Sequence, residues 1–298
     1  MEKIRLGTSP LLVSNIGLGA MNFGTKVSQE KSFDILNRYL DLGGNFIDTS
    51  NNYAVWNGGD GGESERVLGA WQNQCRNRSK IVLATKVGAL PKIPGSKGFS
   101  NMQGLKRDVI LKSVDQSMQN LQTDYLDLLY LHVDDYETPQ YEVMKTLAEL
   151  VEQGTVKAIG CSNFYTYRIE SARQIARENQ FPFFSAVQLR YSFLVPIMDA
   201  DFTPQIPAGP EHIHYLEHHR DMSLVAYSPL LKGQYNQAEI QQREYQTGDN
   251  QWRLNYVREN YSNPNRYVIE YINKTLGGSI ALVSTSNVKH LEELLIQL

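Results

Sequence analysis

One repeated order constrains this chain more than any single motif. Eight short apolar runs of strand character, at residues 16–19, 45–48, 81–86, 125–132, 156–162, 186–190, 224–228 and 280–284, are each followed by a helix-like stretch. The expected helices span 28–42, 64–74, 107–121, 139–152, 166–178, 210–219, 264–276 and 288–297. Their punctuation agrees: Ser28 and Asn287 stand where helix starts need side-chain acceptors, and Gly43, Gly154 and Gly277 follow helix ends. A strand that returns through a helix returns parallel, so eight such units predict an all-parallel sheet. In 298 residues they suit a closed (β/α)8 barrel, a TIM barrel, as one domain. Residues 3–6 and 11–14, joined by a turn at 7–10, form an N-terminal β-hairpin expected to close the bottom of that barrel.

Composition narrows the function classes. Hydrophobic residues make up 41% of the chain, enough for a packed core and against disorder. The formal charge is −3 with no basic stripe, so nucleic acid is not an expected partner. No run approaches the roughly 18 apolar residues of a membrane helix, and the first residues lack the apolar core of a secretion signal. Two distant cysteines, Cys75 and Cys161, fit a reducing compartment, and a cytoplasmic location is expected.

In a parallel barrel the carboxyl ends of all strands meet on one face, so residues far apart in sequence converge there. Asp48, Lys86 and His132 each stand at such an end, and Tyr53 follows in the connection after Asp48. A carboxylate, an amine, an imidazole and a phenol are a proton-transfer set. Reduction of a carbonyl needs a hydride on carbon and a proton on oxygen. Tyr53 can supply the proton; its ordinary pKa of about 10 is high for work near neutrality, and a neighbouring Lys86 ammonium is expected to lower it. Asp48 is the anion that would hold Lys86, and His132 is placed to donate a hydrogen bond to the substrate oxygen. Three connections on the same face are long: 51–63, 87–106 and 232–263. They are glycine-rich or carry aromatic residues, and are expected to shape a pocket or lid. Phe23 and Trp56, with Trp252 as a further candidate, would line an aromatic wall for substrate.

The stretch Asn45-Phe46-Ile47-Asp48-Thr49-Ser50-Asn51-Asn52-Tyr53, then Ala84-Thr85-Lys86 and Leu129-Tyr130-Leu131-His132, resembles the signature blocks of the aldo-keto reductase superfamily. So do Gly160-Cys161-Ser162-Asn163-Phe164, Val187-Gln188, Ala226-Tyr227-Ser228-Pro229-Leu230 and the run from Ser286 to Glu293, in family order across nearly the whole chain. The resemblance implies a nicotinamide cofactor bound without a Rossmann fold, Asp48, Tyr53, Lys86 and His132 as a catalytic tetrad, and Tyr53 as the acid–base residue. It implies that Ser162, Asn163 and Gln188 hold the nicotinamide carboxamide and that Tyr227 stacks on its ring. Ser228 and Leu230 would lie near the pyrophosphate. Ser284, Thr285, Ser286, Asn287 and His290 would hold the adenosine 2′-phosphate, and Glu293 the adenosine. The chain departs from the family where Val283-Ser284 replaces a common Pro-Gly, where His290 replaces a more basic residue and where Leu294 replaces an asparagine. Lys289 is the nearest substitute cation. The expected cofactor remains NADP(H) in preference to NAD(H), with no metal, and the expected ligand is a small carbonyl or alcohol. Family members often carry a C-terminal substrate loop; here the sequence ends at Leu298, soon after the last helix.

Two other readings compete. The same superfamily resembles the β-subunits of potassium channels, so the chain can be read as a cofactor-binding regulatory subunit. A metal-dependent hydrolase barrel is suggested by Asp134-Asp135 after His132, and His214, Glu217 and His218 match a zinc-peptidase spacing on one helical face. Lysine and tyrosine at the same centre speak against a hydrolase, and the His214 helix would belong to the outer ring.

Overall fold

A computed structural model describes residues 1–93, 95–96 and 101–296. Pro94 and Gly98, part of the second long connection, and Gln297, the expected end of the last helix, lie outside the described residues. β1 (Lys3–Arg5) and β2 (Leu12–Ser14) form the antiparallel hairpin, with Lys3 opposite Ser14. β3 (Ile16–Gly19), β4 (Phe46–Asp48), β5 (Val82–Val87), β6 (Leu126–Leu131), β7 (Val156–Ser162), β8 (Ala186–Arg190), β9 (Ser223–Tyr227) and β10 (Ile280–Val283) close into a parallel barrel in chain order. β10 completes the ring by pairing with β3, Leu282 against Gly17.

The expected helices form as α1 (Gln29–Asp41), α2 (Glu63–Cys75), α3 (Arg107–Leu121), α4 (Gln140–Glu152), α5 (Thr166–Asn179) and α6 (Pro210–His218). After them come α7 (Gly248–Asn260), α8 (Pro264–Lys274) and α9 (Val288–Leu295). Ser28 and Asn287 cap α1 and α9 with their side chains. α7 is a departure: it lies inside the 232–263 stretch read as an irregular loop. Thr247 caps its start, but it buries only Asn250, Leu254 and Val257, too narrow a stripe to stand out in a polar sequence. No helix among the described residues is long and apolar enough to cross a membrane.

Alternation of side chains along each strand sorts the interior into two layers. On β5, Leu83 and Val87 join the layer under the helices, with Ile47 of β4 and Leu129 and Leu131 of β6. Val82 and Ala84 turn into the barrel with Phe46, Leu128 and Tyr130. The next inward positions, at the strand ends, are Asp48, Lys86, His132, Ser162 and Gln188, so the packing that fills the barrel also sets its polar floor. Gly160 makes room there: a Cβ on it would stand 2.6 Å from the Tyr130 ring.

The hairpin plugs the opposite end. Leu6, Leu11 and Val13 pack into the inner layer beside Phe46 and Val225. Gly7 N donates to Ser223 Oγ at 2.9 Å and Thr8 N to the Asp221 carbonyl at 3.1 Å. Gly7 has φ of +52°, and a side chain on it would run into the Asp221 and Ser185 carbonyls, so only glycine fits.

Candidate active site

Four elements deliver the four candidate residues to one point. Asp48 ends β4, Lys86 lies on β5, His132 follows β6, and Tyr53 comes from the long connection between β4 and α2. Lys86 Nζ donates to Tyr53 Oη at 2.8 Å, to the Thr49 carbonyl at 2.8 Å and to Asp48 Oδ1. Tyr53 Oη in turn donates to Asp48 Oδ1 at 3.3 Å. Gln188 Nε2 donates to Asp48 Oδ2 at 2.8 Å, so both carboxylate oxygens are engaged. The His132 ring stands edge-on to Tyr53, centroids 6.1 Å apart, and the Trp56 ring is edge-on to Tyr53 at 5.9 Å. Asp48 and Lys86 are fully buried, and Tyr53 and His132 each keep 8% of their surface exposed. The inner pair anchors Tyr53 at the rim, and Ser50 Oγ meets His132 Nδ1 at 3.1 Å.

Burial sets the protonation states. It lowers the Lys86 pKa, against the pull of Asp48, and it lowers His132 well below the ordinary imidazole range, helped by the Lys86 cation. Tyr53 is pushed well above the ordinary phenol value, by burial first and by Asp48 second. The expected lowering of the phenol by Lys86 is therefore corrected: desolvation and the carboxylate outweigh the ammonium. What results is a protonated phenol whose oxygen already accepts from a cation, an arrangement suited to releasing a proton only when a developing oxyanion takes it.

Around this centre stand neutral hydrogen-bonding groups. Ser162, Asn163 and Gln188, on or beside adjacent strand ends, are exposed by 1%, 5% and 3%. Uncharged donors and acceptors of this kind fit a carboxamide head, so the residues present suit a nicotinamide. The Asn163 amide is already spent: Nδ2 donates to the His132 carbonyl at 3.0 Å and to Ser162 Oγ at 3.1 Å, while Oδ1 accepts from Tyr227 Oη at 2.8 Å and Ile206 N at 3.1 Å. Asn163, Ser228, Leu231 and Lys232 hold left-handed φ of +58°, +55°, +46° and +59°. Such conformations cost free energy in non-glycine residues and cluster where a loop is shaped for a ligand.

The outer candidates lie in the connection from β10 to α9 and on α9 itself, apart from Leu230, which follows β9. Ser284, Ser286, Asn287, His290 and Glu293 are exposed, and Leu230 and Thr285 half-buried. Thr285 Oγ1 accepts from Asn287 N at 3.1 Å, and Asn287 Oδ1 caps Lys289 N at 2.8 Å. Of the aromatic candidates, Trp56 stands at the site, Phe23 is packed into the layer under the helices, and Trp252 is exposed on α7, stacked on Tyr256.

The metal readings lose their ligands to other partners. Arg168 binds both oxygens of Asp134, and Asp135 accepts from Leu105 N, Thr138 N and Thr138 Oγ1. His218 Nδ1 meets the His214 carbonyl, on the outer ring. Among the described residues no group of three His, Cys, Asp or Glu side chains is arranged to hold a metal ion.

Sequence reasoning missed several contributors. Thr49 serves through its carbonyl, which sequence does not reveal. Ser50 Oγ meets His132 Nδ1 at 3.1 Å and donates to Asn52 Oδ1 at 2.8 Å; the place of both residues between Asp48 and Tyr53 is the available signal. Arg190, at the end of β8, donates to Tyr245 Oη at 2.9 Å and to the Gln205 and Gln242 amide oxygens at 3.2 Å each. It thereby ties together two rim connections, 191–209 and the stretch that follows β9.

A parallel barrel with this cluster at its carboxyl-terminal mouth defines a class of oxidoreductase-like site. A sequence model of the aldo/keto reductase family matches residues 15–297, and the chain belongs to that family. It is 34% identical to a norsolorinic acid reductase of Aspergillus flavus over 251 residues, covering 82% of this chain and 60% of the relative. It is 37% identical to an aryl-alcohol dehydrogenase of Pestalotiopsis microspora over 187 residues, 60% of this chain and 47% of the relative. An uncharacterized oxidoreductase of Bacillus subtilis is 34% identical over 236 residues, 78% of this chain and 68% of the relative. The fungal relatives are longer: the matched part is 60% or less of each of these two.

Proposed function

We propose that the protein is a nicotinamide-dependent carbonyl reductase, interconverting an aldehyde or ketone and its alcohol. The observation that carries this reading is the buried Lys86–Asp48–Tyr53 cluster, with the phenol oxygen 2.8 Å from the ammonium. When bound, the cofactor supplies the hydride to the substrate carbon. Every other step belongs to the chain. Tyr53 gives its proton to the carbonyl oxygen. Lys86 steadies the phenolate left behind, and Asp48 keeps Lys86 in place and balances its charge. Ser162, Asn163 and Gln188 hold the carboxamide, with Asn163 exchanging a present partner or acting through Ser162, and Tyr227 backs the ring. Ser228 and Leu230 line the pyrophosphate path. Ser284, Thr285, Ser286, Asn287 and His290 take the 2′-phosphate, with Glu293 on the adenosine side.

NADP(H) is the proposed cofactor over NAD(H), supported by the hydroxyls of 284–286 and the start of α9 at Val288, whose dipole favours anions even with Asn287 capping Lys289 N. Trp56 beside Tyr53 and the name of the Pestalotiopsis microspora relative, an aryl-alcohol dehydrogenase, favour an aromatic carbonyl substrate; Phe23 is packed in the core rather than on the wall. The test is a titration with NADPH and NADH followed by turnover on 4-nitrobenzaldehyde and glyceraldehyde. Cofactor consumption with formation of alcohol is expected. Tight cofactor binding with no turnover on a broad panel would instead make this barrel a regulatory subunit.

A further inference from the structure

Arg190 ends β8, two residues beyond Gln188 and level with Tyr227 on β9. Its guanidinium donates to Tyr245 Oη, Gln205 Oε1 and Gln242 Oε1, and lies 4.7 Å from the Phe202 ring and 5.7 Å from the Tyr245 ring. None of these partners is a carboxylate. A planar fork of five N–H groups can bridge acceptors from separate segments, which a compact ammonium cannot do. One arm of the fork leads to the carboxamide pocket. Gln205 precedes Ile206, whose N–H donates to Asn163 Oδ1 at 3.1 Å. Arg190 N donates to the Ile206 carbonyl at 3.2 Å and Ala208 N to the Arg190 carbonyl at 2.8 Å, so the segment 206–208 continues the ladder of β8. Side chain and main chain of one residue thus seat the segment that grips the Asn163 amide. A second arm leads to the pyrophosphate path. Gln242 accepts from Arg190 through Oε1 and donates through Nε2 to the Leu231 carbonyl at 2.8 Å. Leu231 and Lys232 are consecutive non-glycine residues with left-handed φ of +46° and +59°, so that turn has to be held from outside.

We propose, on the reading that this barrel binds a nicotinamide dinucleotide, that Arg190 is a positioning residue for two stretches of the cofactor path: through Gln205 and Ile206 it sets the carboxamide pocket, and through Gln242 it sets the turn beside the pyrophosphate. It acts through these loops rather than by touching the cofactor. Both rim connections are ordered in advance, so binding does not have to order them. The hydrogen bonds of Asp48, Lys86 and Tyr53 run to other residues, so the chemical step is unaffected once the cofactor is seated. The adenosine side belongs to different elements, the connection after β10 and α9, so the hub serves NADPH and NADH alike. The shape of the fork matters more than its charge, so lysine is a poor substitute.

Fluorescence titrations of the full chain with NADPH and NADH read the effect without turnover. Arg190→Met should weaken both cofactors by the same factor, about tenfold, the scale on which lost pre-organisation changes affinity. Binding of adenosine 2′-phosphate, followed by calorimetry, should stay as in wild type. With an aldehyde substrate, KM for NADPH should rise in step while kcat at saturating NADPH stays within about twofold. Arg190→Lys should recover little of the loss. Gln205→Ala and Gln242→Ala each remove one arm and should each reproduce part of it; they decide the matter if Arg190→Met does not fold. Unchanged cofactor affinity in Arg190→Met, with only a lower unfolding temperature, would make Arg190 a staple of the rim and overturn the proposal. So would full recovery by lysine, a loss confined to NADPH, or wild-type affinity in both glutamine variants. Tight cofactor binding without turnover in wild type would count against the reductase reading and leave the affinities to decide the role of Arg190. A wild-type protein that binds neither cofactor overturns both.

Discussion

At the scale of single residues, the central device is a phenol held protonated by burial and placed against a cation. Tyr53→Phe is predicted to lower carbonyl reduction by about 10²- to 10⁴-fold, the usual worth of a positioned acid, with cofactor affinity nearly unchanged. Steady-state rates and a fluorescence titration check both halves; retained turnover would assign the proton to another group. The sign of the pH dependence follows from the direction of the Tyr53 shift. Reduction needs the protonated phenol, and its folded pKa lies above the ordinary value, so kcat for reduction should stay level from pH 6 to 9 and fall only in stronger alkali. A midpoint near neutrality would contradict this. Lys86→Met leaves Asp48 buried without its cation. It should cost about 3–5 kcal/mol of stability by chemical denaturation and impair turnover about as severely as Tyr53→Phe.

Not every residue of the site was legible in sequence. Asp48, Lys86 and His132 could be read because each follows an apolar run that had to be a strand, and parallel strands bring such ends together. The protonation of Tyr53 could not be read. It depends on how completely the barrel excludes water, and the direction expected from the Lys86 neighbour alone was the wrong one. The full engagement of Asn163 was equally hidden, since Tyr227 and Ile206 reach it from 64 and 43 positions away.

At the scale of elements, turn chemistry and packing explain what formed. The hairpin was legible from its apolar alternation and the glycine at its turn, and Gly7 holds it against the barrel floor. Gly7→Ala should destabilise the protein by about 1–3 kcal/mol, since the new methyl meets two carbonyls in a left-handed backbone. Unchanged thermal unfolding would mean that the plug is loosely seated. α7 escaped notice because its buried stripe is only Leu254 and Val257 beside Asn250. At the start of α9, Lys289 is the nearest cation to the expected phosphate loop. Lys289→Met should weaken NADPH about two- to fivefold, the scale of an exposed ion pair, and leave NADH unchanged. Equal losses for both cofactors would place the 2′-phosphate elsewhere.

For the whole molecule, closure is what converts scattered residues into one site. The barrel admits no other meeting place for β4, β5 and β6 than the mouth, and the hairpin seals the far end, so the polar floor faces one opening. Eight repeated units made that architecture readable before any motif was considered, and the motifs then fell where the architecture required them.

The most direct measurement follows deuterium from the cofactor. With NADPH deuterated at the transferred C4 position and an aldehyde substrate, wild-type protein should deliver one deuterium to the alcohol carbon, with that product nearly absent for Tyr53→Phe over the same interval. Alcohol formed without deuterium on that carbon, or formed at equal rate by the variant, would contradict the account.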